Sequence, residues 1–320
     1  MDQHRCFACE EQNPDRIVTN TDDGWTFTFI ERFVGPPGRV HGGTAIGAIT
    51  CPALQLAERD GMHHPVVLHV DGRLNLPVPL AKPICVKAYS EEGRYRVQLQ
   101  GDSNVILDGY VEVADQENKV GSVLQEAPSE YVEDLQSLSE IADADIEGPS
   151  LFTQFLEVQK AAGYPIEPPP KCFGCSEADG ALELSIRKTR QGDTYTRWKS
   201  EEAFTDGEGR LATTMVVSAI DCMNLYAISA KDDFDLLFKL TQEKKTFFTG
   251  SYGVRIFRVP PVEIEDDYRI TSRYLRRDGR KLFAMSALSD SDGTIYAMGE
   301  SVAIIFDLPD EIFGTDNWYL

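Results

Sequence analysis

Hydrophobic and polar positions alternate in two widely separated stretches, "WTFTFIERF" at 25–33 and "DTYTRWKSEEAF" at 193–204. A period of two sets one face of a strand against a core. Each stretch leads through a loop into a run that is apolar nearly all round, "TAIGAITCPALQLA" from Thr44 and "TMVVSAIDCMNLYAI" from Thr214. Such runs predict buried central helices, each wrapped by its own sheet, and Pro52 predicts a kink in the first. Further strands follow each helix: "PVVLHVDGRLNL", "ICVKAYSEE", "YRVQLQ" and "VILDGYVEVA", then "FFTGSYGVRIF", "YRITSRYL", "KLFAMSALS" and "TIYAMGESVAIIF". Helix followed by antiparallel strands, with no βαβ alternation, predicts an α+β fold.

The same order of elements twice over predicts an internal duplication. "GRVHGGTAIGAITCPAL" from Gly38 aligns without gaps on "GRLATTMVVSAIDCMNL" from Gly209, pairing Arg39 with Arg210, Ile49 with Ile220 and Cys51 with Cys222. "CFAC" at 6–9 and "CFGC" at 172–175 come ahead of these aligned stretches, one in each half, and the turns Glu92-Gly93-Arg94 and Asp278-Gly279-Arg280 come after them. The expected organisation is one domain over 1–115, an acidic, partly helical connection over 116–168 with the stiff "PIEPPP" at its end, and a second domain over 169–320. Two equivalent units in one chain are expected to pair about a pseudo-twofold axis.

A chain of 320 residues can bury two ordinary cores. Its formal charge of −21 argues against nucleic-acid and anionic-membrane partners. One basic stretch breaks that trend. "RITSRYLRRDGRK" at 269–281 carries six cations, Arg276 and Arg277 among them, and reads either as a dock for a ligand phosphate or carrier protein or as a solvated strand edge. The first residues lack a signal-peptide pattern. Asp221 interrupts the best apolar run, which stays short of the roughly 18 residues of a membrane span. A cytoplasmic location is the expectation. The seven cysteines are expected to be reduced thiols. The two CFxC pairs read as a repeated structural turn in preference to a four-cysteine zinc site. Cys51 and Cys222 read as small core residues, and His63, His64 and His69 show no ligand spacing. Neither metal nor cofactor is expected.

"CFACEEQNP" followed by "GPPGRVHGG" resembles the CFxCGxxNPxG and GPPGxVHGG pattern of the acyl-CoA thioesterase superfamily. The resemblance implies a hotdog fold, here a double hotdog of two antiparallel sheets, each wrapping a long helix. It also implies a small-molecule acyl thioester as substrate, on CoA or a carrier protein. In such enzymes the Gly-rich loop polarises the thioester carbonyl, and a carboxylate nine positions after the His of HGG activates water or attacks. Counted from His41, that position is Thr50, whereas from Ala212, the equivalent of His41, it is Asp221. Each half has therefore lost what the other keeps.

Helical rise of about 1.5 Å per residue leaves position 50 roughly 10 Å from its own helix start. Two antiparallel central helices would instead bring Asp221 to the loop of the other half. One composite site is expected. Asp221 acts as base or nucleophile, His41 orders the loop or takes part in the chemistry, and Gly38, Gly42 and Gly43 admit the substrate to backbone donors. Ser218, Asn224 and Tyr226 lie within a turn or two, and Thr50 reads as an inert small residue. Hydrolysis is the leading reading. A hotdog dehydratase, hydratase, isomerase or cyclase using His41 and Asp221 is the alternative, and a non-catalytic acyl-binding module the third. Assembly into a homo-oligomer of such chains is left open.

Overall fold

The computed structural model describes residues 7–9, 13, 15–21, 24–35, 39–116, 119–161, 172–175, 181–201, 204–206, 209–230, 235–262, 264 and 267–307. The expected Gly38 and "PIEPPP" features lie outside these. The first half contributes β1 (Val18–Thr21), β2 (Gly24–Phe27), α1 (Gly42–Ala48), α2 (Thr50–Arg59), β3 (Pro65–Leu74), β4 (Ile84–Glu91), β5 (Arg94–Gln100) and β6 (Val105–Asp115). The connection carries α3 (Val132–Ser139), β7 (Ile146–Glu147) and α4 (Leu151–Ala161). The second half supplies β8 (Arg187–Thr189), β9 (Thr194–Trp198), α5 (Thr213–Ser229), α6 (Asp235–Gln242), β10 (Lys245–Ile256), β11 (Tyr268–Asp278), β12 (Lys281–Ser289) and β13 (Ile295–Asp307).

The α+β expectation matches this inventory, but two details differ. The first is the sheet. Instead of two separate sheets, all thirteen strands form one, in the order β1-β2-β4-β5-β6-β3-β10-β13-β12-β11-β9-β8-β7. The seam is the antiparallel pairing of β3 with β10, from Arg73 opposite Ser251 to His69 opposite Arg255. Each of these strands would otherwise end its half of the sheet with a row of unpaired backbone groups, and their pairing satisfies both. Outward from the seam, each half passes through its third, sixth, fifth, fourth, second and first strand in chain order.

The second difference is the first central helix, which is broken at Ile49 where its counterpart α5 runs on for 17 residues. Pro52 has no N–H to offer the Ala48 carbonyl and its ring crowds that carbonyl. At the same break Thr50 Oγ1 donates to the Gly47 carbonyl at 2.7 Å. The kink expected at Pro52 thus falls one turn earlier.

Helix α5 is the centre of the core: Met215, Val216, Val217, Ala219, Ile220 and Met223 are all fully buried. Helix α1 crosses it at very short range. A Cβ placed on Gly43 would lie 2.6 Å from Asp221 Cβ and 2.9 Å from Val217 O, and one on Gly47 would lie 2.8 Å from Thr214 Cα. Residues four apart share a helix face, so Gly43 and Gly47 form a side-chain-free seam that lets the two backbones touch. On the outer face of the sheet, Leu135 and Leu138 of α3 pack with Tyr195, Met285 and Met298. Arg273 fastens α3 by reaching Asp134 at 3.2 Å and Asp193 at 2.8 Å. Among the described residues, no helix is long and apolar enough to cross a membrane.

Candidate active site

The loop before α1 is built by its own backbone. Gly35 N–H donates to Arg39 O and His41 N–H to Phe33 O, which delivers the chain to the helix with His41 as N-cap. The first N–H groups of a helix have no carbonyl partner within it. Here they face α5 of the other half. The Gly43 amide donates to Asp221 Oδ2 at 2.7 Å, and the Thr44 amide to His41 Nδ1 at 3.3 Å. Thr44 Oγ1 lies 2.9 Å from Ser218 Oγ, and Ser218 in turn donates to Thr214 O at 2.7 Å. Since the Ser218 proton is committed to that carbonyl, Thr44 is the donor in the pair. Its oxygen is then open to a proton on His41 Nδ1, 3.2 Å away. The ring thus has two arrangements, with Nδ1 either accepting from the Thr44 amide or donating to the Thr44 hydroxyl.

Asp221 is only 1 % exposed. Thr249 Oγ1 donates to its Oδ1 at 3.1 Å, and His41 Nε2 stands 3.8 Å from its Oδ2. Desolvation pushes the carboxyl above the ordinary carboxylate range, against the opposing pull of His41, the Gly43 amide and Thr249. Thr249 is aimed by a β-bulge. Gly250 is an extra residue in β10, opposite no residue of β13, and the register shifts between Thr249 and Ser251. A Cβ at Gly250 would meet Ile304 at 2.4 Å, so the bulge needs a glycine.

The "CFGC" loop of the second half forms a third wall. Phe173 N–H donates to Val34 O at 2.7 Å, and the Phe173 ring sits 5.0 Å from Phe33 and 6.2 Å from His41, each edge-on. Cys222 Sγ lies 3.1 Å from His41 Nε2. Its sulfur and those of Cys172 and Cys175 come within 4.8 Å of one another. Mutual hydrogen bonding pushes Cys172 well below the ordinary thiol range, and Cys175 and Cys222 well above it.

These groups open on a cavity of about 450 Å³, mostly apolar, walled by His41, Gly42, Asp221, Cys222 and side chains such as Leu74, Phe152, Phe247 and Phe306, with Arg39 at its exposed rim. The size is that of a small-molecule site. Of the residues singled out from sequence, Asp221, His41, Gly42, Gly43 and Ser218 converge here. Asn224 turns away, its Oδ1 accepting from Ser272 of β11 at 2.9 Å. Arg276 and Arg277 lie on the exposed β11–β12 hairpin, outside the cavity wall, where Arg276 stacks 3.9 Å above the Phe283 ring and Arg277 donates to Gly279 O. Thr249 and the CFGC loop were not anticipated. The extra glycine in "TFFTGSY" is a signal for the bulge, but nothing local ties the loop to His41. The other helix start meets Thr50 across a gap of about 70 Å³ lined by Ala212, Thr213 and Thr214. There Thr214 Oγ1 donates to the same Gly47 carbonyl as Thr50, at 3.2 Å.

No family model and no curated protein sequence matches the chain. Solved structures do. An acyl-CoA thioesterase II of Mycobacterium marinum is similar over 92 % of this chain and 97 % of its own, with 11 % identity and a TM-score of 0.52. The dehydratase domain of RzxB from Pseudomonas fluorescens is similar over 89 % and 96 %, with 10 % identity and a TM-score of 0.54. A hot dog-fold protein of unknown function from Alicyclobacillus acidocaldarius is similar over 91 % and 96 %, with 10 % identity and a TM-score of 0.50. At such identities the likeness is one of fold. The chain has the hotdog architecture, with central helices packed on a large antiparallel sheet.

Proposed function

We propose that the chain is an acyl-thioester hydrolase built as a double hotdog, with halves at 1–115 and 169–320 related by a pseudo-twofold axis and joined by 116–168. The observation that carries this reading is the Asp221 carboxyl. It is buried, held by the Gly43 amide of one half and the Thr249 hydroxyl of the other, and set in the wall of an apolar cavity. An acyl chain occupies the cavity and its thioester carbonyl lies over the start of α1. Gly42 lines the cavity, and its first-turn amide, with the helix dipole behind it, stabilises the developing oxyanion. Asp221 takes a proton from water, whose oxygen bonds to the acyl carbon. The tetrahedral intermediate then collapses and expels the thiolate, which recovers the proton from Asp221. The products are a carboxylic acid and a thiol. Thr249 keeps the carboxyl oriented, and Arg39 at the rim meets the anionic carrier of the acyl group.

A second reading is favoured by one contact. His41 Nε2 stands 3.8 Å from Asp221 Oδ2 with both groups on the cavity wall, a pair able to remove and deliver protons in a dehydration. Thiol release from a panel of acyl-CoAs separates the two. Hydrolysis liberates one thiol per turnover, is lost in Asp221→Asn and is weakened in His41→Ala. Water elimination from a 3-hydroxyacyl thioester liberates none and requires His41. An absence of thiol release across the panel, or full release by Asp221→Asn, contradicts the hydrolase.

A further inference from the structure

Six of the seven cysteines fall into two sets of one design, a C-x-x-C pair and then a cysteine on the central helix: Cys6, Cys9 and Cys51, followed by Cys172, Cys175 and Cys222. Cys6 lies outside the described residues, whereas the second set lies wholly within them. Its three sulfurs lie within 4.8 Å of one another, none is joined in a disulfide, and all three residues line the cavity. Zinc with bonds of about 2.3 Å to sulfur spaces its thiolates ~3.8 Å apart, so these sulfurs need only a small contraction to share one ion.

The surroundings suit thiolate ligands. The Cys175 amide is hydrogen-bonded to Cys172 within the C-x-x-C turn. Tyr226 Oη donates to Cys175 Sγ at 3.4 Å. His41 Nε2 lies 3.1 Å from Cys222 Sγ without joining the cluster, the position of an outer partner that supports a ligand. The turn is also held in place before any ion arrives. Leu182 N–H donates to Phe173 O at 2.7 Å and Leu184 N–H to Gly174 O at 3.0 Å. Gly174 passes so close to the helix that a Cβ there would lie 2.2 Å from Cys222 Sγ. A repeated structural turn needs neither the helix cysteine nor this close approach.

We propose that Cys172, Cys175 and Cys222 form a site for a thiophilic divalent cation of the zinc class. The three thiolates fill three positions and the fourth opens on the cavity. The ion pins the CFGC turn to α5 beside Asp221. Binding releases the thiol protons to solvent and requires no oxidant or reductant. The site is independent of which reaction the cavity supports.

The test uses the full chain, stripped of metal and kept reduced, titrated with Zn²⁺ alone and with Co²⁺ as a spectroscopic probe. Wild-type protein is expected to show thiolate-to-cobalt charge transfer that Zn²⁺ abolishes, and zinc is expected to shield three thiols from a thiol reagent. Cys222→Ser and Cys172→Ser should each remove one equivalent of bound metal per chain, whereas Cys85→Ser, a change at an exposed site on β4, should remove none. Shielding in the wild type needs no variant to fold. Absence of charge transfer and of shielding, or a metal stoichiometry unchanged in both Cys222→Ser and Cys172→Ser, overturns the proposal.

Discussion

Residues 33–35 and 39–43 are bonded ahead of α1 as residues 204–206 and 209–214 are ahead of and into α5. His41 N–H bonds Phe33 O as Ala212 N–H bonds Phe204 O, Gly35 bonds Arg39 as Asp206 bonds Arg210, and the bridge from Val34 to Val40 is matched by that from Thr205 to Leu211. What the two starts meet is different. The first presents two glycines to a buried acid at a cavity of about 450 Å³. The second presents two threonines to a third, which with Thr214 closes on the Gly47 carbonyl beside about 70 Å³ of space. The loop backbone is therefore a scaffold and not yet a site. On the proposed reading, chemistry requires glycines that admit a ligand and a carboxylate on the facing helix, and the α1 junction has both.

The contrast can be broken most sharply at the acid. On the proposed reading, Asp221→Asn lowers the hydrolytic rate by a factor on the order of 10²–10⁴, the usual worth of a general base. Thr50→Val at the matching position leaves the rate within about twofold. Steady-state thiol release by the two variants checks this, and equal losses would show that the junctions are functionally alike. Next comes Gly43→Ala. Its new methyl group would clash with Asp221 Cβ and Val217 O. Overpacking of this kind costs about 1–3 kcal/mol, read as a lower midpoint in urea unfolding with activity lost alongside. Thr214→Ala at the silent junction removes one hydrogen bond, at a cost of about 1 kcal/mol.

The sequence carried part of this contrast openly. The register that puts Thr50 and Asp221 at one position is visible in a gapless alignment, and the alternating and all-apolar runs mark strands and buried helices. Three features stayed hidden because they depend on what packs against them. The β3–β10 seam joins strands far apart in the chain, and an edge strand reads like any other. Gly43 reads as a ligand-admitting residue, whereas it also serves with Gly47 to bring two helices into contact. Asn224 lies one turn from Asp221 and so reads as part of the site, yet its side chain meets Ser272 in the sheet.

Smaller effects sharpen the account. Thr249→Val removes the hydroxyl that orients Asp221 Oδ1. A rate loss of roughly tenfold, with the urea midpoint changed by only about 1 kcal/mol of stability, is expected. Pairing it with Asp221→Asn in a double-mutant cycle should show the Thr249 effect vanish once the acid is gone. Smallest is Arg39→Ala at the exposed rim. It should raise KM a few-fold with kcat nearly unchanged, the mark of lost uniform binding, and the effect should fade at high salt.

The central claim is that a loop of one half and an acid of the other make a single working site. The most direct measurement is a crystal structure with a non-hydrolysable thioether analogue of an acyl-CoA. The acyl chain is expected in the large cavity, with the carbonyl surrogate within hydrogen-bond reach of the Gly42 amide and Asp221 beside it. An analogue seated instead between Ala212 and Thr50, or bound with its carbonyl away from both Gly42 and Asp221, would contradict that claim.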